Sequence, residues 1–447
     1  MEKQVPRLPV VRFSIALLAE ILLFAALNRY DDWTLEAMPV KFVTTALLCG
    51  MAYLIAVTPF AIFDNLRGQA LIFWSVAVLL RLIALPLAPS DDLWRYQWEG
   101  KIQHAGFNPY LNPPDDPKLE SLRADFPEWQ RINHREYRVV YPPGAELLFK
   151  GLNAISDRPL FYKLLFAAAD LATVGVLLLL IGDRSRYSQA SWYAWNPLVV
   201  YGFAGAAHFD SLMILPMTAG ILFLSRSVTE TDALRKWLLA LAAATALGLA
   251  ISFKLIPALL LLVCVWPLGV RAITLVVSLA IPILLGCSYG FANVVESLGR
   301  FIPLTRLNDL FWWLIEDTYW ENTHQRNYHY NVVLLVCIVI VSLIFIRNWK
   351  RGMLWVLGTV MILSPVLHPW YCTWILPIAI WRRAYAWCVL SVTLFVYYLF
   401  WNERLFVLPW HAELWMRGMI IIPALLATLS GLARNEIKNS SLPASPP

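Results

Sequence analysis

Long apolar runs recur along almost the whole chain and are separated by short polar stretches. A helix needs about 20 mostly apolar residues to cross the hydrocarbon core of a membrane, and a helix satisfies its own backbone hydrogen bonds there. The pattern therefore predicts an all-α, polytopic transmembrane helical bundle that forms a single integral-membrane domain over residues 1–447. The predicted runs are 10–28, 41–63, 69–88, 159–182, 193–207, 211–225, 237–253, 255–270, 272–290, 331–346, 352–366, 370–381, 384–400 and 414–432.

Basic residues divide the predicted loops into two faces. Short cytoplasmic loops of membrane proteins carry an excess of Lys and Arg. If the N-terminus is cytoplasmic, alternating crossings bring every short basic cluster to the cytoplasmic face. We therefore expect a multi-pass protein of the cell (inner) membrane with about 12–14 spans. Both termini are expected in the cytoplasm. The clusters are Arg67, Arg184 with Arg186, Arg226 with Arg235 and Lys236, Arg271, Arg347 with Lys350 and Arg351, Arg382 with Arg383, and Arg434 with Lys438.

Two long polar segments, 89–158 and 291–330, then fall on the outer side. They hold most of the polar sequence that is not part of a short basic loop. We therefore expect an extracytoplasmic site where these two loops meet the membrane.

Composition narrows the class of protein. Hydrophobic residues make up 59% and charged residues 15% of the chain, whereas soluble domains have roughly 45–50% and about 25%. A soluble enzyme, a disordered protein and a nucleic-acid-binding module fit poorly, and the lipid bilayer is the expected surrounding. The net charge of +6 reflects membrane topology, so no nucleic-acid partner is expected.

The first outer loop opens with the sequence SDDLWRYQWEG. On a helix, Arg95 lies three residues after Asp92 and four after Asp91, and Glu99 follows one turn later on the same face. A carboxylate beside a cation stays ionised, as a general base requires. The alternative is that the Asp pair opens an interfacial helix, where acidic residues favour the positive end of the helix dipole.

Two further polar breaks lie at the predicted outer side. His208 and Asp210 separate two short apolar runs, and such residues at membrane depth are functional candidates or a hydrogen-bonded pair that closes a helical hairpin. Lys254 also lies between two runs, where it either extends to the interface or binds an anionic phosphate.

A third break is bracketed by prolines. Pro365 and Pro369 flank His368, which predicts a fixed, non-helical turn that lines a cavity; an aromatic interfacial belt is the alternative. Inside the predicted spans, Arg81 and Asp170 either pair with each other or face a cavity.

The order of these motifs resembles the GT-C superfamily of integral-membrane glycosyltransferases. From about residue 69 to 381 the chain is most similar to bacterial mannosyltransferases that use polyprenyl-phosphate mannose. The resemblance implies an inverting transfer of a hexose, mannose in particular, from a polyprenyl-phosphate sugar donor to a lipid-linked or glycan acceptor on the extracytoplasmic face. It requires no metal or other cofactor. The motifs are SDDLWRYQWEG, GFNPY, YPPG, AHFD, FKLIP and LHPWYCTW.

The resemblance also assigns roles to residues. An Asp of the first long outer loop acts as the general base, which is Asp91 or Asp92 in this chain, and the spacing to the Asn-Pro-Tyr element favours Asp92. The residues implied to stabilise the departing phosphate are Lys254, His368 and Arg95. Those implied to shape the sugar and acceptor pocket are Glu99, Tyr110, His208 and Asp210, and Tyr371 of the last motif is a further substrate-binding candidate.

Two other functions fit the same architecture. One is a transporter or flippase of a lipid-linked sugar, and the other is a lipid-linked glycan ligase or polymerase. A transporter is expected to carry polar groups near the bilayer midplane on broken helices. The polar candidates of this chain gather at the outer boundary instead, which favours an enzyme.

Overall fold

Helices form nearly all of the regular secondary structure. The computed structural model describes residues 7–32, 35, 37–58, 60, 65–301, 307–319, 326–401 and 413–440, and within them the only β-type pairing is an isolated bridge. The all-α prediction is confirmed. The helices are α1 (Arg7–Ala26), α2 (Met38–Val57), α3 (Leu66–Ala84), α4 (Asp91–His104), α5 (Glu120–Ala124), α6 (Pro143–Ile155), α7 (Pro159–Ile181), α8 (Arg186–Ala194), α9 (Pro197–Val200), α10 (Ser211–Thr229), α11 (Ala233–Phe253), α12 (Leu261–Leu268), α13 (Leu275–Cys287), α14 (Phe291–Phe301), α15 (Trp312–Tyr319), α16 (Arg326–Ile344), α17 (Trp349–Leu363), α18 (Cys372–Trp381), α19 (Ala386–Thr393) and α20 (Leu414–Ser440).

Eight helical stretches of the described chain are long and apolar enough to cross a membrane. They make the chain a multi-pass membrane protein. The count of 12–14 spans stays a prediction, because several other apolar helices are shorter than a full crossing. The eight stretches are Leu8–Arg29, Met38–Val57, Leu66–Ala84, Pro159–Ile181, Ser211–Thr229, Ala233–Phe253, Ile256–Cys287 and Leu414–Gly431.

The stretch Ile256–Cys287 contains a reversal of chain direction. The Ser278 hydroxyl donates to the Ala244 carbonyl at 2.7 Å, and the Thr274 hydroxyl lies 3.4 Å from the Ala240 carbonyl. This register makes α13 parallel to α11, so the chain between them has to return. Gly269, with φ of +56°, lies in that return. The two separate apolar runs predicted for this stretch, 255–270 and 272–290, therefore lie on opposite sides of this reversal.

The basic loops lie at one end of the bundle, and the polar candidates lie at the other. Helices α3, α10, α11 and α17 each have one terminus beside a basic loop and the opposite terminus beside a candidate residue. The basic loops also contact one another: Arg271 donates to Ser227, Arg347 lies over Trp266, Lys350 lies over Trp381, and Arg383 donates to Ser185.

A buried ion pair ties α3 to α7. Nε and Nη2 of Arg81 lie 2.7 and 2.6 Å from Oδ2 of Asp170. The same guanidinium donates to the Ala194 carbonyl at the end of α8. Of the two alternatives for these residues, pairing with each other is confirmed. Removal of one partner would leave an uncompensated buried charge, at a cost of about 3–5 kcal/mol.

Part of the second predicted outer loop lies outside the described residues, namely 302–306 and 320–325. The described part includes α14 and the segment that leads into α15. Leu307 in that segment makes the isolated parallel bridge with Val366, which brings this loop to the Pro-bracketed turn.

Candidate active site

The first outer loop begins with a helix, as the sequence predicts. Helix α4 starts at Asp91, so both Asp residues lie in its first turn, and the Ser90 side chain makes no capping hydrogen bond. Nε of Arg95 donates to Oε1 of Glu99 at 2.8 Å, the expected contact one turn apart. The Asp pair therefore lies at the start of a helix. The function of each carboxylate depends on what it contacts there.

Asp92 points into a group of polar side chains from distant parts of the chain. Nδ2 of Asn133 donates to Oδ1 of Asp92 at 3.0 Å, and Nδ1 of His208 lies 3.3 Å from Oδ2. The Asp92 side chain keeps 17% of its surface exposed, whereas His208 keeps 1%. An open side of this carboxylate thus remains available to a bound molecule.

The surroundings hold Asp92 in its ionised form. Burial raises the pKa of a carboxyl group, but the hydrogen bond and positive charge of His208 and the hydrogen bond from Asn133 outweigh it. Together they hold the pKa of Asp92 well below its usual range. Asp91 and Asp92 both act electrostatically on the Tyr397 hydroxyl group, and Asp91 also acts on that of Tyr201.

His208 reaches Asp92 through an unusual backbone turn. A single π-helical turn, Tyr201–Gly205, follows α9, and the His208 amide donates back to the Gly202 carbonyl at 2.9 Å. Ala207 has φ of +63°, in the left-handed region that disfavours a β-carbon. Such π-turns and backbone outliers concentrate at functional sites.

Asp210 and Lys254 form a second charged pair beside the first. Nζ of Lys254 lies 2.8 Å from Oδ1 of Asp210, which also accepts a hydrogen bond of 2.6 Å from Nε1 of Trp374. The ammonium group lies 5.1 Å from the ring centroids of Phe209, Tyr371 and Trp374. Because Lys254 retains 13% exposure, it can meet an anion while Asp210 and the rings hold it. His208 and Asp210 thus belong to two separate pairs and do not form the hairpin-closing pair that was the alternative to a functional role.

His368 completes the group. Its imidazole and that of His208 both stack on the Trp370 indole, with centroid distances of 4.4 and 3.7 Å. Nδ1 of His368 lies 3.0 Å from the Tyr397 hydroxyl. Burial, together with the positive charges of His208 and Lys254, lowers the pKa of His368 to about 3, although Asp92 opposes this shift. His368 is therefore neutral near pH 7 and has one N–H to donate.

The turn that carries His368 is fixed and non-helical, as its prolines predict. The Leu307 amide donates to the Pro365 carbonyl at 3.0 Å, and the Leu367 amide donates to the Leu307 carbonyl at 2.9 Å. Nδ2 of Asn308 donates to the Leu367 carbonyl at 3.0 Å. The second outer loop thus holds the turn in place.

The polar and aromatic side chains described so far form one group, which we call the Asp92 cluster. Its members are Asp92, Asn133, His208, Asp210, Lys254, His368, Trp370, Tyr371 and Trp374.

Arg95 lies beside the Asp92 cluster, with its guanidinium group fully engaged. Besides the Glu99 bond, it donates four hydrogen bonds to backbone carbonyls, at distances of 2.8 to 3.3 Å. A guanidinium has five N–H donors, so none is left for a phosphate. Arg95 instead holds the segment that brings Asn133 to Asp92. The carbonyls belong to Asn133, His134, Tyr137 and Arg138.

Glu99 and Tyr110 make buried contacts within the first outer loop. Glu99 is 1% exposed and lies beside Glu146, and burial raises the pKa of both carboxyl groups. Tyr110 is fully buried and donates its hydroxyl to the Tyr141 carbonyl at 2.7 Å. Neither side chain faces the Asp92 cluster directly.

Most of the predicted site residues therefore come together. Asp92, His208, Asp210, Lys254, His368 and Tyr371 meet in one cluster, although they lie on four separated segments. Sequence reasoning missed Asn133, which lies in an irregular polar loop without a motif of its own. It also missed the individual contacts of Trp370, Trp374 and Tyr397, the first two of which lie in or beside the Pro-bracketed motif.

The comparisons with known proteins decide the family. A family model described as alpha-(1->6)-mannopyranosyltransferase, N-terminal domain, matches residues 28–270, which is more than half of the chain. The chain belongs to this mannosyltransferase family. The match confirms the family resemblance indicated by the motif order, and it contains Asp92, His208 and Lys254. Comparisons with curated proteins and with solved structures give no match.

Proposed function

We propose that this mannosyltransferase moves a mannosyl group from a polyprenyl-phosphate donor to a lipid-linked or glycan acceptor on the extracytoplasmic face, with Asp92 as general base. The observation that carries the proposal is the convergence of an ionised, partly exposed carboxylate with a partly exposed lysine at one end of the bundle. One group suits the attacking hydroxyl and the other suits the departing phosphate.

Asp92 is the better candidate of the Asp pair. Its two oxygens are oriented by Asn133 and His208, which fixes the carboxylate at the open side of the Asp92 cluster. An acceptor hydroxyl bound there gives its proton to Asp92 as its oxygen attacks the anomeric carbon. Asp91 lies within electrostatic range of Tyr201 and Tyr397, where it would contact a sugar or support the loop.

Lys254 and His368 are suited to the leaving group. When the bond between the anomeric carbon and the phosphate oxygen breaks, negative charge grows on the phosphate and needs fixed positive charge or donors nearby. Lys254 offers an ammonium held by Asp210, and neutral His368 offers one N–H. No general acid is needed, because a lipid phosphate leaves as an anion.

Single displacement inverts the anomeric carbon. The family name refers to α-(1→6) products, so an inverting enzyme of this kind needs a β-linked donor. We therefore expect the β-anomer of polyprenyl-phosphate mannose to be used and the α-anomer to be refused. The eight long apolar helices provide the lipid-facing surface for the polyprenyl chain.

A transfer assay in membranes tests this function. Wild type, Asp91→Asn and Asp92→Asn are expressed to equal levels, labelled β-polyprenyl-phosphate mannose is supplied, and products are read by mass. We expect wild type to label a lipid or glycan acceptor. We expect Asp92→Asn to reduce turnover by about 100-fold to 10,000-fold, the usual range for loss of a general base. Asp91→Asn should retain measurable turnover.

The outcomes separate the parts of the proposal. If wild type consumes no donor, the polyprenyl-phosphate mannose assignment is wrong. If both Asn variants match an active wild type, Asp92 is not the base. Movement of intact lipid-linked sugar across the membrane without glycosidic bond formation would support a flippase instead.

A further inference from the structure

Six residues, 85–90, connect α3 to the Asp pair, and we call them the strap. We propose that Lys163 and Asp31 are positioning residues that hold the strap in place. They thereby keep Asp92 at the right distance from His208. This inference rests on the proposed function, because it concerns the geometry of the proposed base. Both residues lie outside every motif that carries the family resemblance.

Lys163 is a buried cation near the start of α7. Its side chain is 3% exposed, and Nζ donates to the Leu85 carbonyl at 3.0 Å and to the Leu87 carbonyl. A buried ammonium is costly unless its protons are all used. In this protein it holds two strap carbonyls, and no carboxylate lies within ion-pair distance of it among the described residues.

Asp31 holds the strap from another element. It follows α1, and its Oδ2 accepts a hydrogen bond of 2.9 Å from the Ala88 amide. Asp31 also lies within electrostatic range of Lys163. Its neighbour Asn28 donates Nδ2 to the Ile83 carbonyl at 3.1 Å, just before the strap. The N-terminal segment, which contributes little to the motif resemblance, therefore reaches the loop that carries Asp92.

The strap is also joined to the turn that carries His208. The Ser90 amide donates to the Ala206 carbonyl at 2.9 Å. Ser90 lies two residues before Asp92, and Ala206 lies two residues before His208. The separation of Asp92 and His208 thus depends on where the strap lies. A displacement of about 1 Å in such a site can cost on the order of 100-fold in rate.

Four variants test the two residues. Lys163→Met and Asp31→Ala remove the strap contacts, Asp31→Asn keeps an acceptor oxygen for the Ala88 amide, and Lys150→Met on the exposed face of α6 is the control. For Lys163→Met we expect kcat per folded molecule to fall about 10-fold to 100-fold with the donor KM changed by less than about twofold. Asp31→Ala should fall less, and Asp31→Asn and Lys150→Met should stay near wild type.

A disulfide that replaces the lost contacts distinguishes positioning from stability. A β-carbon built on Gly205 would lie 3.7 Å from the Leu87 β-carbon, within the range that a disulfide requires. The nearest atom to that new β-carbon is the Leu87 Cδ1, which a cysteine at 87 removes, and the next is Tyr201 Cδ2 at 3.3 Å. The pair Leu87→Cys with Gly205→Cys would therefore tie the strap to the π-turn.

The decisive comparison is made in the Lys163→Met background with this cysteine pair. Oxidation should raise kcat severalfold, and reduction should reverse the gain in the same sample. If Lys163→Met keeps wild-type kcat per folded molecule, the inference is wrong. It is also wrong if the variant loses activity and verified cross-linking restores none of it. If Lys163→Met yields no folded protein, the same redox comparison in Asp31→Ala decides. A wild type without transferase activity would instead reject the proposed function.

Discussion

Two contacts keep Asp92 ionised although most of its side chain is buried. Burial raises its pKa, and His208 lowers it through both a hydrogen bond and its charge. A base is lost when the pH falls below its pKa, so wild type should show no acidic limb from Asp92 between pH 5 and 8. His208→Gln removes the imidazole, so the pKa of Asp92 should rise and the acidic limb of kcat should lie at higher pH than in wild type.

The control for this pH profile is another amide–carboxylate contact in the same loop. Nδ2 of Asn112 donates to Oδ2 of Asp116 at 2.8 Å, away from the Asp92 cluster. Asn112→Ala should leave the acidic limb unchanged, whereas Asn133→Ala should move it in the same direction as His208→Gln. An acidic limb at the same pH in wild type and His208→Gln would show that His208 does not set the pKa of the catalytic base.

Lys254 has two separable effects, because it neutralises Asp210 and faces the proposed phosphate position. Lys254→Met should lower kcat about 100-fold to 1,000-fold, the usual cost of losing one donor to a developing anion. It also leaves Asp210 as an unpaired buried carboxylate. The double variant Asp210→Asn with Lys254→Met removes that charge, so thermal stability should recover while kcat stays low. Recovery of kcat in the double variant would show that Lys254 acts only on stability.

At the scale of elements, the hydrogen bonds of the Arg95 guanidinium fix the segment that carries Asn133. Lys has three donors on a single nitrogen and cannot reproduce a planar guanidinium. Arg95→Lys should therefore loosen residues 133–138, lower kcat about tenfold, and speed tryptic cleavage after Arg135 and Arg138. Arg158→Lys, at an exposed site before α7, is the control. Unchanged proteolysis of Arg95→Lys would mean that other contacts hold the segment.

The elements themselves follow from the sequence because apolar length and helical spacing are local properties. The helix at Asp91 and the Arg95–Glu99 contact depend on neighbours within a few residues, and the prolines that flank His368 predict its non-helical turn. Asn133 could not be predicted, since its partner Asp92 lies 41 residues away and its loop has no periodicity. The same holds for Lys163, whose partners are backbone carbonyls of another segment and leave no trace in side-chain pattern.

At the scale of the whole molecule, the basic loops and the Asp92 cluster lie at opposite ends of the same helices. Helix α11 begins beside Arg235 and ends just before Lys254, and α17 begins beside Lys350 and ends before His368. If basic loops face the cytoplasm, the Asp92 cluster faces the outside. A donor that carries its sugar on a lipid would then meet the cluster at the outer membrane boundary.

Cysteine labelling tests this orientation directly. In a background with Cys287→Ser and Cys337→Ser, which removes the cysteines that are not buried, Ser121→Cys places a thiol in the first outer loop and Thr231→Cys places one between α10 and α11. Both positions are exposed. A membrane-impermeant maleimide should label Ser121→Cys in intact cells and Thr231→Cys only after permeabilisation. The reverse pattern would put the Asp92 cluster in the cytoplasm, where the acceptor would have to be an intracellular molecule.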